Sequence, residues 1–175
     1  MTATPSFEDV FTRWANEHVV VLFRVAFRML GDPHDAEDVL QDTLRSAWTS
    51  RHLYDGARSE RAWLLAILRR RVADHWRRRA RTVAAVEVDE LQAPAPSAAD
   101  PFAHELSGPM QRALERLPAE LRETLLLVVV GELTHQEAAD LLEVPLGTVL
   151  SRVSRARSRL RESLLAEEPA LKRAP

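Results

Sequence analysis

The side chains best suited to chemistry fall into three groups, each uniform in type. The first is acidic: Asp32, Asp35, Glu37, Asp38 and Asp42 follow one another with no Lys or Arg between them. On a helix Asp38 and Asp42 stand one turn apart. Paired carboxylates can act as general acid and base, but nothing around these supplies a pocket or a nucleophile. Two readings remain: stabilisation of a helix N-terminus by its own acids, or a negative docking face for a basic partner. The second group is Arg69, Arg70, Arg71, Arg77, Arg78 and Arg79, interleaved with Trp63, His75 and Trp76. Arginines that follow a backbone, beside rings on which bases stack, suit single-stranded DNA. The bland reading is rings in a core and arginines in water; it is expected to hold for Trp63, while His75 and Trp76 fit either. The third group is the stretch 148–161, with five Arg, no acid, and Ser151, Ser154 and Ser158 between them.

None of these groups is a catalytic set. The chain has no Cys, which excludes disulfides and thiolate metal sites, and its six His are never paired locally. No catalytic residue, metal ligand or cofactor is therefore expected. The net charge of the 175 residues is −2, which alone argues weakly against a nucleic-acid partner. Its distribution argues the other way. Residues 69–81 hold seven Arg against Asp74, whereas residues 83–107 hold five acids and no base. Basic stripes in a neutral chain are the footprint of phosphate binding. No apolar run is long enough to span a bilayer and the first residues have no basic n-region, so a cytoplasmic protein without membrane insertion is expected.

The elements that position these groups read as helices throughout. Residues 7–80 give three or four. Phe7–Leu30 stops at Gly31-Asp32-Pro33; a second helix runs from about His34 to Ser50 with Ala36, Val39, Leu40, Thr43, Leu44 and Ala47 on one face. After a polar loop containing Gly56, a third runs from about Glu60 to Arg79 with Leu64, Ile67, Leu68 and Val72 inward. Residues 81–107, Ala/Pro-rich and acidic, bury too little apolar surface to offset their ordering entropy and read as a linker. This divides the chain into a domain at 1–80, a linker at 81–107 and a domain at 108–175. In the second domain Pro118 opens a helix that Gly131 closes; the apolar run Leu125–Val130 also admits a buried strand, but the start and stop signals favour helix. Thr134-His135-Gln136-Glu137 fits a capping box. The turn Val144-Pro145-Leu146-Gly147 leads to Thr148 as the expected N-cap of a longer basic helix, giving a helix-turn-helix.

At 100° per residue that basic helix sorts cleanly. Val149, Val153, Ala156, Leu160 and Leu164 fall on one face and belong to the core. Ser151, Ser154, Arg155 and Ser158 fall opposite, small enough to approach the floor of a major groove. Arg152 and Arg159 lie on one flank, Leu150 and Arg157 on the other. Basic flanks on phosphates and a polar face on base edges are the two halves of duplex readout. A solvated Arg-rich face on an ordinary bundle helix is the alternative.

Together the two halves resemble the ECF (extracytoplasmic function) sigma factors, group IV of the main bacterial sigma family. Gly31-Asp32-Pro33 through Gln41-Asp42, followed by Ala47-Trp48, is similar to their region 2, as are Arg61-Ala62-Trp63-Leu64, Asp74 and Arg77-Arg78. Leu114-Glu115-Arg116-Leu117-Pro118, Glu137-Ala138-Ala139 and Val144-Pro145-Leu146-Gly147-Thr148-Val149-Leu150-Ser151-Arg152 resemble region 4. Departures include Arg70, where many members carry Asn, Leu150, often basic, and His135, more usually Tyr or Ser. The resemblance implies an all-α fold of two small helical domains joined by a flexible linker. It also implies a subunit, not an enzyme, that binds core RNA polymerase at the β′ clamp helices and β flap and directs it to promoters. Asp35, Asp38, Gln41 and Asp42 would then bind polymerase. Arg69, Arg70, Trp76 and Arg77, with the loop around Gly56–Glu60, would capture the opened −10 strand. Ser151, Ser154 and Arg155 would meet the −35 bases, with Arg152, Arg157 and Arg159 on phosphates and Leu150 also within the DNA-binding face. An anti-sigma factor is the further partner implied. A stand-alone helix-turn-helix repressor would leave the first domain without a task. A DNA recombinase would need a catalytic nest that the sequence lacks.

Overall fold

A computed structural model describes residues 7–85 and 108–171; most of the expected linker lies outside the described residues. Among them are seven α-helices and one short 3₁₀ turn: α1 (Phe7–Leu30), α2 (Pro33–Thr49), the turn Arg51–Leu53, α3 (Glu60–Ala85), α4 (Gly108–Glu115), α5 (Ala119–Val129), α6 (His135–Leu142) and α7 (Leu146–Leu171).

Local chemistry sets most of these boundaries. Gly31 takes a positive φ of 79° after α1, its N–H donating to the Phe27 carbonyl at 2.8 Å. Asp32 then caps α2 by accepting the Asp35 N–H at 3.0 Å, with Pro33 in the first turn, where its missing N–H costs nothing. The hydroxyl of Ser59 accepts from the Ala62 N–H at 3.3 Å and starts α3. The capping box is present: Thr134 Oγ1 accepts the Glu137 N–H at 3.1 Å and Glu137 Oε2 accepts the Thr134 N–H at 2.9 Å.

Several expectations shift. The strand alternative for Leu125–Val130 falls, because the N–H groups of Val130 and Gly131 both bond back to the Leu126 carbonyl. α3 continues to Ala85, past the expected end at Arg79, since no Gly or Pro interrupts it. Thr148 is not an N-cap. α7 begins two residues earlier, where the Pro145 carbonyl already accepts the Thr148 N–H at 2.8 Å. α4 was not read from the sequence as a separate element; Pro109 sits in its first turn, where a helix tolerates it.

Leu22, Val25, Val39, Leu64 and Leu68 fill the first half, and Leu121, Leu126, Val149, Val153 and Leu160 the second. Both belong to one continuous apolar cluster, because α1 packs on α4 and α5 while α3 packs on α6. The two buried hydroxyls, Thr43 and Thr124, each donate to the carbonyl four residues back, at 2.7 Å. A ring cluster closes one end: Trp14 meets Tyr54 edge-on at 4.8 Å between centroids, and Tyr54 lies 5.4 Å from Trp63. Trp63 is half-buried there, near its expected place. These rings anchor the loop between α2 and α3, with the Tyr54 hydroxyl donating to the Arg58 carbonyl at 2.9 Å.

Removing the α6 cap by Thr134→Ala should lower unfolding free energy by about 1 kcal/mol, measured by denaturant titration. His18 generates a pH effect. Burial, then the positive charge of Arg61, holds its pKa below the ordinary value against the opposing pull of Glu17, Glu60 and Glu132. The unfolded chain takes up this proton from about pH 6.5 downward while the folded chain resists it, so stability falls as pH drops through that range. Thermal melts between about pH 8 and about pH 5 should show a shallower loss for His18→Gln than for the native chain.

Candidate nucleic-acid interface

The basic face of α7 is built on a buried stripe. Val149 and Ala156 are wholly buried, and Val153 and Leu160 nearly so, which forces Ser154, Arg155, Arg157, Ser158 and Arg159 outward. Leu150 stands among them with 48% of its surface exposed. An apolar side chain in such a row matches the methyl group of thymine in a major groove. Ser151 is half-buried: its hydroxyl donates to the Thr148 carbonyl at 2.9 Å and accepts from Arg155 Nη2 at 2.9 Å. Arg155 thus folds back along its own helix, within reach of a base edge by a change of rotamer. Arg152 is placed differently from the other flanking arginines. It pairs with Glu120 of α5 at 2.8 Å and is only 18% exposed. α6 lies across α7, fixed by its capping box, in the order that a helix-turn-helix needs.

In the first half the arginines of α3 separate onto three faces. Arg79 and His75 approach Asp35 of α2, each at 3.3 Å, and Arg78 approaches Asp42 at 3.8 Å. Asp42 also pairs with Arg45 at 2.8 Å. Of the four α2 residues singled out for a protein partner, Asp38 and Gln41 are therefore exposed, while Asp35 and Asp42 already touch arginines. Arg70 and Arg71 face elsewhere, into a polar recess completed by Arg45, Ser46, Ser50 and His52 at the end of α2 and the 3₁₀ turn. Arg77 is exposed and ion-paired with Asp74, whose carboxyl is held below the usual range chiefly by that hydrogen bond.

The third face carries Arg69 and Trp76. Arg69 donates through Nε to Glu123 of α5 at 2.8 Å, and Trp76, 40% exposed, lines a crevice against Ala119 and Glu123. The structure therefore does not gather Arg69, Arg70, Trp76 and Arg77 on one surface. Arg70 and Arg77 share one side of α3; Arg69 and Trp76 look toward the second half of the chain. Sequence reasoning missed the recess residues Arg45 and His52, named Arg71 only within the arginine group, and did not foresee that Arg61 ion-pairs with Glu132 beyond α5. The spacing of Arg61, Leu65 and Arg69 at four-residue intervals was the available signal, since such residues share a helix face.

Comparison with known proteins identifies both halves of the chain. Residues 14–82 match Sigma-70 region 2, and residues 107–160 match Sigma-70 region 4. The ECF RNA polymerase sigma factor SigL of Mycobacterium tuberculosis (strain H37Rv) is 38% identical over 157 residues, covering 85% of each chain. SigW of Bacillus subtilis is 27% identical over 90% of each. SigE of Mycolicibacterium smegmatis is 33% identical over 93% of this chain, but the match spans only 63% of that relative's length. Among solved structures, the sigma factor RpoE in complex with the anti-sigma factor NepR from Bartonella quintana superposes with a TM-score of 0.68 at 30% identity. That match covers 89% of this chain and 98% of the other. CnrH in complex with the cytosolic domain of CnrY gives 0.67 at 27% identity, covering 90% and 89%. With both sigma regions in order and relatives similar along most of its length, the chain belongs to the ECF RNA polymerase sigma factors.

Proposed function

We propose that this chain acts in the cytoplasm as a non-catalytic initiation subunit that binds core RNA polymerase and directs it to promoters. The observation that carries this reading is the pairing, in one chain, of an outward serine–arginine face on α7 with a basic recess beside α3. A duplex reader needs the first, and a reader of opened DNA needs the second.

Each part then has a physical task. α7 lies in the major groove of the −35 element, with Ser151, Ser154, Arg155 and Leu150 toward base edges. Arg157 and Arg159 reach the flanking phosphates; Arg152 joins them by exchanging Glu120 for phosphate. The opened −10 strand is held by Arg70 and Arg77 beside the recess, with Arg69 and Trp76 adding charge and a stacking surface once the crevice opens. The domain boundaries that suit these tasks are 1–80 and 108–175, with 81–107 as the tether between two individually weak contacts. A soft tether of that length reaches about 25 Å on average and more when stretched. Asp38 and Gln41, flanked by Asp35 and Asp42, offer the negative face for the β′ clamp helices, and the second domain meets the β flap. Among the described residues no helix is long and apolar enough to cross a membrane. Two solved relatives are complexes with an anti-sigma factor or with the cytosolic domain of a second protein, which supports control of this chain by an anti-sigma factor.

Two outcomes test the reading. Reversing Asp38 and Asp42 to Arg should abolish co-elution with bacterial core polymerase in gel filtration; co-elution at full strength would remove the docking face from α2. Arg155→Ala should weaken binding of the holoenzyme to its −35 element by about 1–3 kcal/mol while leaving core binding intact. Unchanged promoter affinity in a mobility-shift titration would move the recognition face away from Arg155.

A further inference from the structure

We infer that Leu146 and Leu150 select thymine: through them the first turns of α7 read the 5-methyl groups of two closely spaced thymines in the −35 element. This selectivity rests on the reading of α7 as the −35 helix, and it adds which bases that helix prefers.

Outside its buried stripe, α7 exposes two rows of side chains at four-residue intervals. One row is Leu146, Leu150, Ser154 and Ser158; the other is Gly147, Ser151, Arg155 and Arg159. The second row carries the guanidinium groups. The first carries no charge and opens on two leucines, with 40% and 48% of their surfaces exposed. A single leucine in water needs no explanation. Two in one row, on the first two turns of the helix, stand where a recognition helix meets base edges. The surface beside them is open, since a Cβ added at Gly147 would meet nothing within 4 Å. Charge complementarity names what fills it. Residues 148–161 hold five Arg and no acid, so the surface that takes these leucines is itself anionic.

In the major groove only thymine offers a methyl group. Cytosine presents an amino donor there, and purines present N7 beside O6 or an amino group. A leucine buries the thymine methyl, whereas against cytosine it leaves a donor without an acceptor. Discrimination therefore works in both directions. Along α7 the two leucines are separated by about 6 Å. A base pair rises about 3.4 Å, so the two thymines lie within about two base-pair steps of each other.

The test uses holoenzyme assembled from the full chain and bacterial core polymerase. From synthetic promoters randomised over the −35 and −10 regions, it should select thymine at two neighbouring or nearly neighbouring −35 positions. Uracil keeps the pairing and the O4 acceptor of thymine but lacks the methyl. Placing uracil at either position should weaken binding by the native holoenzyme about three- to fivefold. Leu150→Ala should bind the thymine and uracil forms of one position equally, and Leu146→Ala those of the other. A −35 element without thymine, or a native holoenzyme indifferent to uracil, would overturn the assignment. So would loss of core binding on combining Leu146→Ser with Leu150→Ser, because the leucines would then face polymerase. Failure of the native chain to co-elute with core polymerase removes the promoter reading and, with it, the thymine reading. Co-elution together with indifference to uracil removes only the second.

Discussion

Eight arginines on a single 26-residue helix are the constraint around which this structure is arranged. α3 carries only Glu60 and Asp74 in return, so its positive charge must be met from outside or left to solvent. The surrounding elements divide the task. α2 supplies Asp35 and Asp42 along one side, α5 and the segment after it supply Glu123 and Glu132 along another, and the third opens into the recess around Arg70 and Arg71. None of these exposed pairs contributes much alone, since solvent screens them. Their value is directional. They decide which side of the helix faces which neighbour, while the apolar stripe of Leu64, Leu68 and Val72 supplies the burial energy.

The helices themselves were legible in the sequence because their signals are local. Gly31-Asp32-Pro33 acts within a few residues, and so does the Thr134–Glu137 box. The inward face of α7 follows from periodicity alone. Where local signals were silent or double, the reading slipped. Thr148 looked like a cap because Thr often is one, yet the Pro145 carbonyl had already begun the helix. The short α4, which opens at Gly108-Pro109, was not read as an element at all. The end of α3 was read too early at Arg79, because the apolar stripe fades there although the Ala and Arg that follow favour helix.

The site was legible on α7 and less so on α3, for a physical reason. On α7 a single buried stripe fixes every other side chain by rotation. On α3 three neighbours compete for the arginines, and which neighbour lies where is a tertiary fact. Arg69 and Arg70 are adjacent in sequence and similar in chemistry, yet one faces Glu123 and the other the recess. The acids of α2 show the same limit. Their clustering was evident, and the Asp42–Arg45 pair is local, but the α3 partners of Asp35 and Asp42 lie more than thirty residues away, beyond any local rule.

The bond between Ser59 and Glu137 ties together two features that a reader of either half would treat as separate. Ser59 begins α3; Glu137 completes the box that begins α6, and its carboxyl is held below the usual range first by Ser59 and then by Thr134. One carboxylate thus serves three donors on two helices. An asymmetry follows between the two oxygens: Oε2 belongs to the fold of the second half, and Oε1 is available for exchange. Were the halves to part, Glu137 would keep the bonds of its Oε2 to Thr134 and give up only Ser59, so that separation need not unravel what it separates.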